Sequence, residues 1–234
     1  MRRAITDYNM ISDGDKIAVG VSGGKDSQLL LMSLVELRRF LPVHFDLVAI
    51  TVNLGFESFD VNSLLKFYRS LGVEYHVEDT TISHTVFDTR EEKNPCSLCA
   101  NMKRGAIYHT AKSLGCNKAA FAHHMDDVIE TLLMSLLYEG RIHTFSPVVN
   151  LDRSGITLIR PMIYVGEDLV RSCVEAVGIN PVKSGCPVDG LTKRQDIKEL
   201  IHSLMKENRY LKSNLFGAIQ RAGIDGWKWQ SGAD

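Results

Sequence analysis

The chain alternates short apolar runs with longer segments in which apolar residues recur at the spacing of one helix face. The apolar runs predict strands over residues 16–21, 47–52, 74–77 and 118–122. The segments between them predict helices over residues 26–40, 60–71 and about 97–114. Gly72 and Gly115 each follow a leucine at a predicted helix end, where a left-handed cap favours glycine. This strand–helix alternation predicts a parallel sheet with helices on both faces.

The pattern continues through the last third of the chain and then changes. It predicts a helix over about 126–138, a strand over 156–160 and a helix over about 166–177. Beyond Pro187 an amphipathic helix is marked by Ile197, Leu200, Ile201, Leu204 and Met205. A further helix is indicated over 215–219. We therefore predict an α/β fold with a doubly wound parallel sheet over residues 1–182 and a small C-terminal helical appendage over 183–234.

Composition and charge narrow the class of protein. The 44% hydrophobic and 24% charged residues are typical of a soluble globular domain. No window approaches the roughly 20 apolar residues that span a bilayer, and the N-terminus lacks the apolar core of a signal peptide, so we expect a cytoplasmic protein without membrane contact. The net charge is −1, but residues 183–228 carry 9 basic against 5 acidic residues. This basic tail predicts either contact with a polyanion or merely a solvated helical surface.

The most informative stretch is the glycine loop, residues 22–27, which joins the first predicted strand to the first long helix. Two glycines allow a sharp turn and close approach of the backbone to a ligand. Turn amides and the helix N-terminus together favour a phosphate. Lys25 adds a full positive charge, while Ser22 and Ser27 add hydroxyl donors. The spacing matches neither the usual P-loop nor the dinucleotide fingerprint, and the alternative interpretation is an ordinary Gly-Gly turn.

A second group of polar residues follows the strand predicted over 118–122. Asp127, with Asp26 opposite, is our choice for holding Mg²⁺, since hard carboxylate ligands suit that cation in triphosphate cleavage. Asp126 is either a helix N-cap or a site residue. His123 and His124 are adjacent on an extended strand and so point to opposite faces. They cannot easily share a metal, and a positioning or packing role is expected for both.

Five cysteines in a chain without a secretion signal argue against a disulfide framework. Cys96 and Cys99 form a C-x₂-C pair at a helix start, suited to metal binding or to a redox pair. A third cysteine, Cys186, stands in a Gly-Cys-Pro turn. Three thiolates are one short of the usual set for structural zinc or an iron–sulfur cluster. Cys116 and Cys173 are interpreted as small core residues.

In combination, these motifs resemble the PP-loop ATP pyrophosphatase superfamily. The loop Ser22-Gly-Gly-Lys-Asp-Ser27, the pattern Cys96-x-x-Cys99-x(4)-Arg104-Gly105, the segment 123–131 and the late Cys186 occur in the order found in tRNA 2-thiocytidine synthetases. The likeness covers about residues 15 to 220. It implies a Rossmann-like sheet of the PP-loop ATPase type and an enzyme that adenylates the 2-carbonyl of a pyrimidine, here cytidine, and replaces oxygen with sulfur.

The resemblance also implies cofactors, partners and site residues. Cys96, Cys99 and Cys186 would hold a 4Fe-4S cluster with one iron free, Asp127 would hold Mg²⁺, and Lys25, Asp26 and Asp127 would be catalytic. ATP would contact Val21, Ser22, Gly23, Gly24, Lys25, Asp26, Ser27, Val52 and Asp127, with the adenine near Val19, Gly20, Val21 and Val52. The partners would be tRNA and a donor of sulfide or persulfide, and a homodimer is compatible with them. The basic residues that could contact the RNA backbone are Lys103, Arg104, Lys193, Arg194, Lys198, Arg209 and Lys212.

Three alternatives remain open from the sequence. A cluster-free sulfurtransferase would carry a persulfide on Cys186 and use Cys99 to resolve it. Another PP-loop adenylating or amidating enzyme would not need the three cysteines. A nucleotide-sensing or RNA-binding module would bind ATP without releasing pyrophosphate.

Overall fold

A computed structural model describes residues 1–56, 60–89, 95–182, 186 and 193–228. The strands are β1 Asp15–Gly20, β2 Phe45–Asn53, β3 Glu74–Asp79, β4 Lys118–Ala120, β5 Val148–Leu151 and β6 Ile156–Ile159. The helices are α1 Arg2–Asp7, α2 Lys25–Leu37, α3 Val61–Ser70, α4 Ile82–His84, α5 Pro95–Ser113, α6 Met125–Tyr138, α7 Glu167–Val177, α8 Lys193–Met205 and α9 Leu211–Ala222. A π-helical turn, Thr85–Thr89, follows α4, and a 3₁₀ turn, Ile224–Gly226, follows α9.

The six strands form one sheet in the order β3-β2-β1-β4-β6-β5. All neighbouring pairs are parallel except β5 with β6, which are antiparallel. From β1 the chain winds outward to β2 and β3, then returns to place β4 on the other side of β1. Ligands of such sheets bind where the strand order reverses, beyond the carboxyl ends of the strands. This rule places the candidate site beyond β1 and β4.

Successive side chains of a strand point to opposite faces of the sheet and so contribute to two hydrophobic layers. Ile17, Val19 and Val21 belong to the larger layer, together with residues of α2, α3, α6 and α7. Ala18, on the opposite face of β1, belongs to the smaller layer, which α5 covers with Ile107 and Ala111. Helices therefore cover both faces, and the predicted doubly wound α/β fold is confirmed.

Several details differ from the sequence prediction. The strand predicted over 118–122 ends at Ala120, and the edge strand β5 and the short helix α1 were not predicted. Gly72 and Gly115 have φ values of 64° and 74°, so the predicted left-handed caps are confirmed. The predicted domain boundary between 182 and 183 stays a prediction, and residues 183–185 lie outside the described part of the chain.

The two C-terminal helices share the core of the sheet domain. Ile197 and Ile201 of α8, with Phe216 and Ile219 of α9, are buried in the larger layer. Both helices contact α6. Trp227, which follows α9, is buried there too, and its indole Nε1–H donates to the Phe145 carbonyl at 3.1 Å.

Candidate active site

The glycine loop is held in shape by its own hydrogen bonds. The Ser22 amide donates to Ser27 Oγ at 3.1 Å, and Ser27 Oγ donates to the Gly24 carbonyl at 3.0 Å. The Gly23 carbonyl accepts from Gln28 Nε2 at 2.8 Å and from the Val182 amide at 2.9 Å. The Ser27 hydroxyl proton is thus used inside the loop. The remaining loop amides and the N-terminus of α2 are preorganised for an anion.

Lys25 stands at the first position of α2 beside two carboxylates. Its Nζ lies 2.8 Å from Asp26 Oδ1 and 3.8 Å from Glu167 Oε1 on α7. Burial alone would raise the pKa of the Glu167 carboxyl, but the charges of Lys198 and Lys25 outweigh it and lower that pKa. Glu167 was not predicted as a site residue because its contact with the loop joins positions 142 residues apart in the chain.

Asp126 and Asp127, at the start of α6, make different contacts. His124 is the N-cap of α6, and its ring accepts from the Asp127 amide while Asp127 Oδ2 accepts from the His124 amide. Asp126 is therefore not the cap of its own helix. It is buried and accepts from the Glu167 amide at 2.7 Å, so that it satisfies the N-terminus of α7 instead, and it also pairs with Lys212.

A cavity of about 340 Å³ opens beside the glycine loop. Ser22, Asp26 and Ser27 line it from the loop side, and Asp127 lines it from the start of α6. Its other wall is α5, the helix that carries the C-x₂-C pair, through Ala100, Lys103, Arg104 and Ile107. The structure therefore brings the two predicted carboxylates and the cysteine helix to one space.

The shape of this cavity depends on Gly20, the last residue of β1. A Cβ at this position would stand 2.7 Å from Cε1 of Phe121 and 3.1 Å from Cδ1 of Ile107. Gly20 therefore allows both side chains to pack against the strand end, where all three line the cavity.

Four of the nine predicted ATP contacts do not line this cavity, namely Val21, Gly23, Lys25 and Val52. The side chain of Val21 belongs to the larger hydrophobic layer and that of Val52 to the smaller one. Neither side chain lines the cavity, and the Val21 carbonyl already accepts from Thr51 Oγ1 at 2.9 Å. Contact of Val21 and Val52 with adenine stays a prediction.

None of the three candidate ligand cysteines forms a disulfide, and two of them act electrostatically on the third. Burial raises the pKa of the Cys99 thiol, the charge of Lys103 lowers it, and the nearby thiols of Cys186 and Cys96 raise it further. Cys96 and Cys186 therefore both lie close enough to influence Cys99. Among the described residues, no group of three or more His, Cys, Asp or Glu side chains already has the arrangement of a metal site. Cys116 is buried, as predicted for a core residue.

Several of the predicted RNA-binding residues are ion-paired. Arg194 Nη1 on α8 lies 3.3 Å from Asp127 Oδ1 and 3.0 Å from the buried Glu130. Lys198 Nζ lies 3.4 Å from Glu167 Oε2 and 3.7 Å from Glu130 Oε1. The carboxylates around the site thus fix α8 in place, an arrangement that charge counting along the sequence could not detect.

Comparison with known proteins identifies the family to which the chain belongs. Residues 1–201 match the PP-loop domain family, and the chain belongs to that family. It is 40% identical over 220 residues to the tRNA-cytidine(32) 2-sulfurtransferase of Pelobacter propionicus, covering 93% of this chain and 82% of the relative. The same named protein of Geobacter sulfurreducens is 40% identical over 223 residues, covering 93% and 86%. The chain belongs to this family of tRNA-cytidine(32) 2-sulfurtransferases.

A solved structure supports the same assignment. The U34-tRNA thiolase NcsA from Methanococcus maripaludis, determined with its 4Fe-4S cluster, superimposes with a TM-score of 0.77 at 25% identity. The match covers 94% of this chain and 76% of that protein. The resemblance to PP-loop enzymes that thiolate tRNA is thereby confirmed. Across the described ranges, no helix is both long and apolar enough to cross a bilayer.

Proposed function

We propose that this chain catalyses ATP-dependent thiolation of tRNA, replacing the 2-oxygen of cytidine 32 with sulfur. The observation that carries the proposal is the single cavity bounded by the glycine loop, by Asp26 and Asp127, and by the helix that carries Cys96 and Cys99. Nucleotide activation and sulfur insertion require these groups to act on the same base. Membership of the sulfurtransferase family supplies the substrate class.

The first step is activation of a poor leaving group. The 2-oxygen of the pyrimidine attacks the α-phosphorus of ATP, the bond to the β-phosphate oxygen breaks, and pyrophosphate departs. The loop amides, the N-terminus of α2 and the Lys25 ammonium stabilise the phosphate charge. Asp26 and Asp127 carry the hard carboxylate oxygens that suit Mg²⁺ and both line the cavity, where the cation would compete with their ion pairs to Lys25 and Arg194. When bound there, the cation would neutralise charge on the phosphate oxygens.

The second step forms the new bond. Hydrosulfide attacks C2 of the activated base and loses its proton, and AMP departs with the original oxygen; a persulfide donor would also require a thiol reductant to cleave its S–S bond after the attack. Cys96, Cys99 and Cys186 fit a 4Fe-4S cluster because they supply three thiols outside any disulfide, and both Cys96 and Cys186 lie close enough to Cys99 to raise its pKa. When bound by three thiolates, such a cluster leaves one iron free to bind a sulfur species. We place the donor among sulfide and persulfide carriers, in the cytoplasm, where thiols stay reduced.

The test measures iron, acid-labile sulfide and product together. Wild-type protein is purified without oxygen, and each of Cys96, Cys99 and Cys186 is replaced by Ala. Cys116→Ala and Cys173→Ala are the matched controls. We expect about four irons per chain in the wild type and controls, and loss of iron and of 2-thiocytidine in the three site variants.

Each of the other outcomes would overturn a different part of the proposal. Full iron content and full thiolation in Cys186→Ala would overturn the assignment of the third ligand. Thiolation by a protein without iron would overturn the cluster and favour persulfide chemistry. Absence of tRNA-dependent AMP release would overturn the enzymatic function itself.

A further inference from the structure

Arg160 is a buried cation whose surroundings contain a histidine instead of a carboxylate. It follows β6 and is 5% exposed. Its Nη1–H donates to the Ser146 carbonyl, and its guanidinium stands 4.7 Å over the Phe145 ring. Its Nε–H donates to Nδ1 of His123 at 3.2 Å. No carboxylate pairs with it in the described part of the chain. The arginine is therefore held firmly, and it presents a fixed donor to the His123 ring.

This contact determines where His123 carries its proton. A guanidinium has only donors, so Nδ1 must be the unprotonated nitrogen of the ring. Burial lowers the pKa of His123 well below its ordinary value, and the charges of Arg160, Arg194, Arg104 and the neighbouring His124 lower it further. The ring is thus neutral, and its hydrogen lies on Nε2. Phe145 and Phe121 fix the ring plane, with centroids at 4.8 and 6.0 Å.

The glycine loop and His123 share one cavity. His123 lines the cavity, and no described residue accepts a hydrogen bond from its Nε2. In the parallel pairing of β1 with β4, Val19 stands opposite Ala120. Ser22 and His123 each lie three residues beyond that pair. The glycine loop and His123 therefore follow neighbouring parallel strands at the same level of the sheet.

We propose that Nε2–H of His123 donates a hydrogen bond to a non-bridging oxygen of the α-phosphate of ATP during adenylation. Arg160 is the positioning residue that fixes the tautomer. The inference rests on the proposed function and adds one catalytic contact to it. A neutral donor suits this place because it stabilises the charge that develops on the phosphoryl oxygen without attracting the carboxylates of Asp26 and Asp127.

A series of His123 variants separates this hydrogen bond from packing. Gln places its amide nitrogen near Nε2, Asn places it near Nδ1, and Phe keeps only the ring. We expect His123→Phe and His123→Asn to slow tRNA-dependent AMP release about 100-fold, and His123→Gln to stay within about tenfold of wild type. The Kd of ATP, measured by calorimetry, should change less than threefold. Equal rates in all three variants would overturn the proposal.

The oxygen itself is identified with the two diastereomers of ATPαS, because sulfur accepts hydrogen bonds poorly. One diastereomer should react more slowly with the wild type, and this difference should shrink in His123→Phe and persist in His123→Gln. An unchanged ratio in His123→Phe would transfer the contact to another acceptor, such as the base, and overturn the phosphate assignment. A wild type that releases no AMP with tRNA would overturn the proposed function together with this inference.

The tautomer has a readout that does not depend on turnover. In protein labelled with ¹⁵N-histidine, His123, assigned by its absence in His123→Phe, should be neutral with the hydrogen on Nε2. Arg160→Gln should give a mixture of tautomers. A hydrogen on Nδ1 or a doubly protonated ring at neutral pH in the wild type would contradict the positioning role of Arg160.

Discussion

Gly23 and Gly24 are neighbours in the loop, but a methyl group would affect them very differently. Gly23 has φ of +79°, and a Cβ there would stand 3.2 Å from Cβ of Val182. Gly24 has φ of −73°, and its Cβ would only meet Ser22 Oγ at 3.4 Å. We expect Gly23→Ala to lower the free energy of unfolding by about 1–2 kcal/mol, because an L-residue is strained at that φ.

The matched control is Gly24→Ala, for which we expect a change within about 0.5 kcal/mol. Urea denaturation at neutral pH measures both. Equal effects of the two substitutions would mean that the loop relaxes and that the left-handed conformation at Gly23 is not required for folding.

Lys25 is the cation of the glycine loop that the sequence motif predicts to be catalytic. Its ammonium stands at the N-terminus of α2 between the carboxylates of Asp26 and Glu167. Lys25→Met removes the positive charge that would stabilise the departing pyrophosphate. We therefore expect tRNA-dependent pyrophosphate release to fall about 100-fold. Lys66→Met, on the exposed face of α3, is the control. A Lys25→Met rate within threefold of wild type would remove Lys25 from the catalytic group.

At this scale the sequence predicts residues that lie in local motifs and misses those that are brought in by the fold. The glycine loop and Asp127 are found because the turn and helix start occupy consecutive positions. Arg160 has no local signal, since an arginine after an apolar strand is ordinary until His123 is known to lie beside it. Glu167 is missed for the same reason.

Among the elements, α6, α7 and α9 are joined by one buried carboxylate. Asp126 of α6 pairs with Lys212 of α9 and accepts from the first amide of α7. Burial alone would raise the pKa of Asp126, but these hydrogen bonds outweigh it and hold the pKa below its ordinary value. Because the folded-state pKa is the lower one, the stabilisation is present above about pH 4 and is lost as the pH falls through the folded-state pKa.

We therefore expect Lys212→Met to lower the free energy of unfolding by about 2 kcal/mol at pH 7, since it leaves a buried carboxylate without its cation. The difference from wild type should shrink as the pH falls below about 4. Lys206→Met, an exposed lysine just after α8, is the control and should have little effect. Urea denaturation across pH 3–7 makes the comparison. A pH-independent loss would point to packing by the lysine stem instead of its charge.

The order of strands and helices is predictable because the change between periods of two and 3.6 is a local property of the chain. β5 is different, since four residues, Val148–Leu151, give too short a pattern to distinguish an edge strand from a loop. Hydrophobic periodicity also cannot predict where α8 packs. It depends on pairs such as Arg194 with Glu130, 64 residues apart, which form only after the sheet has been assembled.

For the whole molecule, the charge surplus of the basic tail overstates the positive charge that is free for RNA. Arg194, Lys198 and Lys212 each stand within ion-pair distance of buried or half-buried carboxylates. Arg209 is exposed, and its guanidinium stacks at 4.6 Å on the Tyr210 ring, without a carboxylate partner in the described residues. A cation beside an exposed aromatic ring can contact both the phosphate backbone and an unpaired base.

We accordingly expect Arg209→Gln to weaken tRNA binding and to reduce the slope of log K against log salt by roughly one, as loss of one phosphate contact does. Arg153→Gln is the matched control, since Arg153 is also exposed and has no carboxylate partner among the described residues, and it lies in the turn before β6, at the end of the sheet remote from the glycine loop. Fluorescence titration of labelled tRNA between 50 and 300 mM salt gives both slopes. Because a paired cation releases its carboxylate when it binds a phosphate, Lys198→Gln should change the slope less than Arg209→Gln. Identical slopes for Arg209→Gln and wild type would show that Arg209 contacts no phosphate and would contradict this prediction.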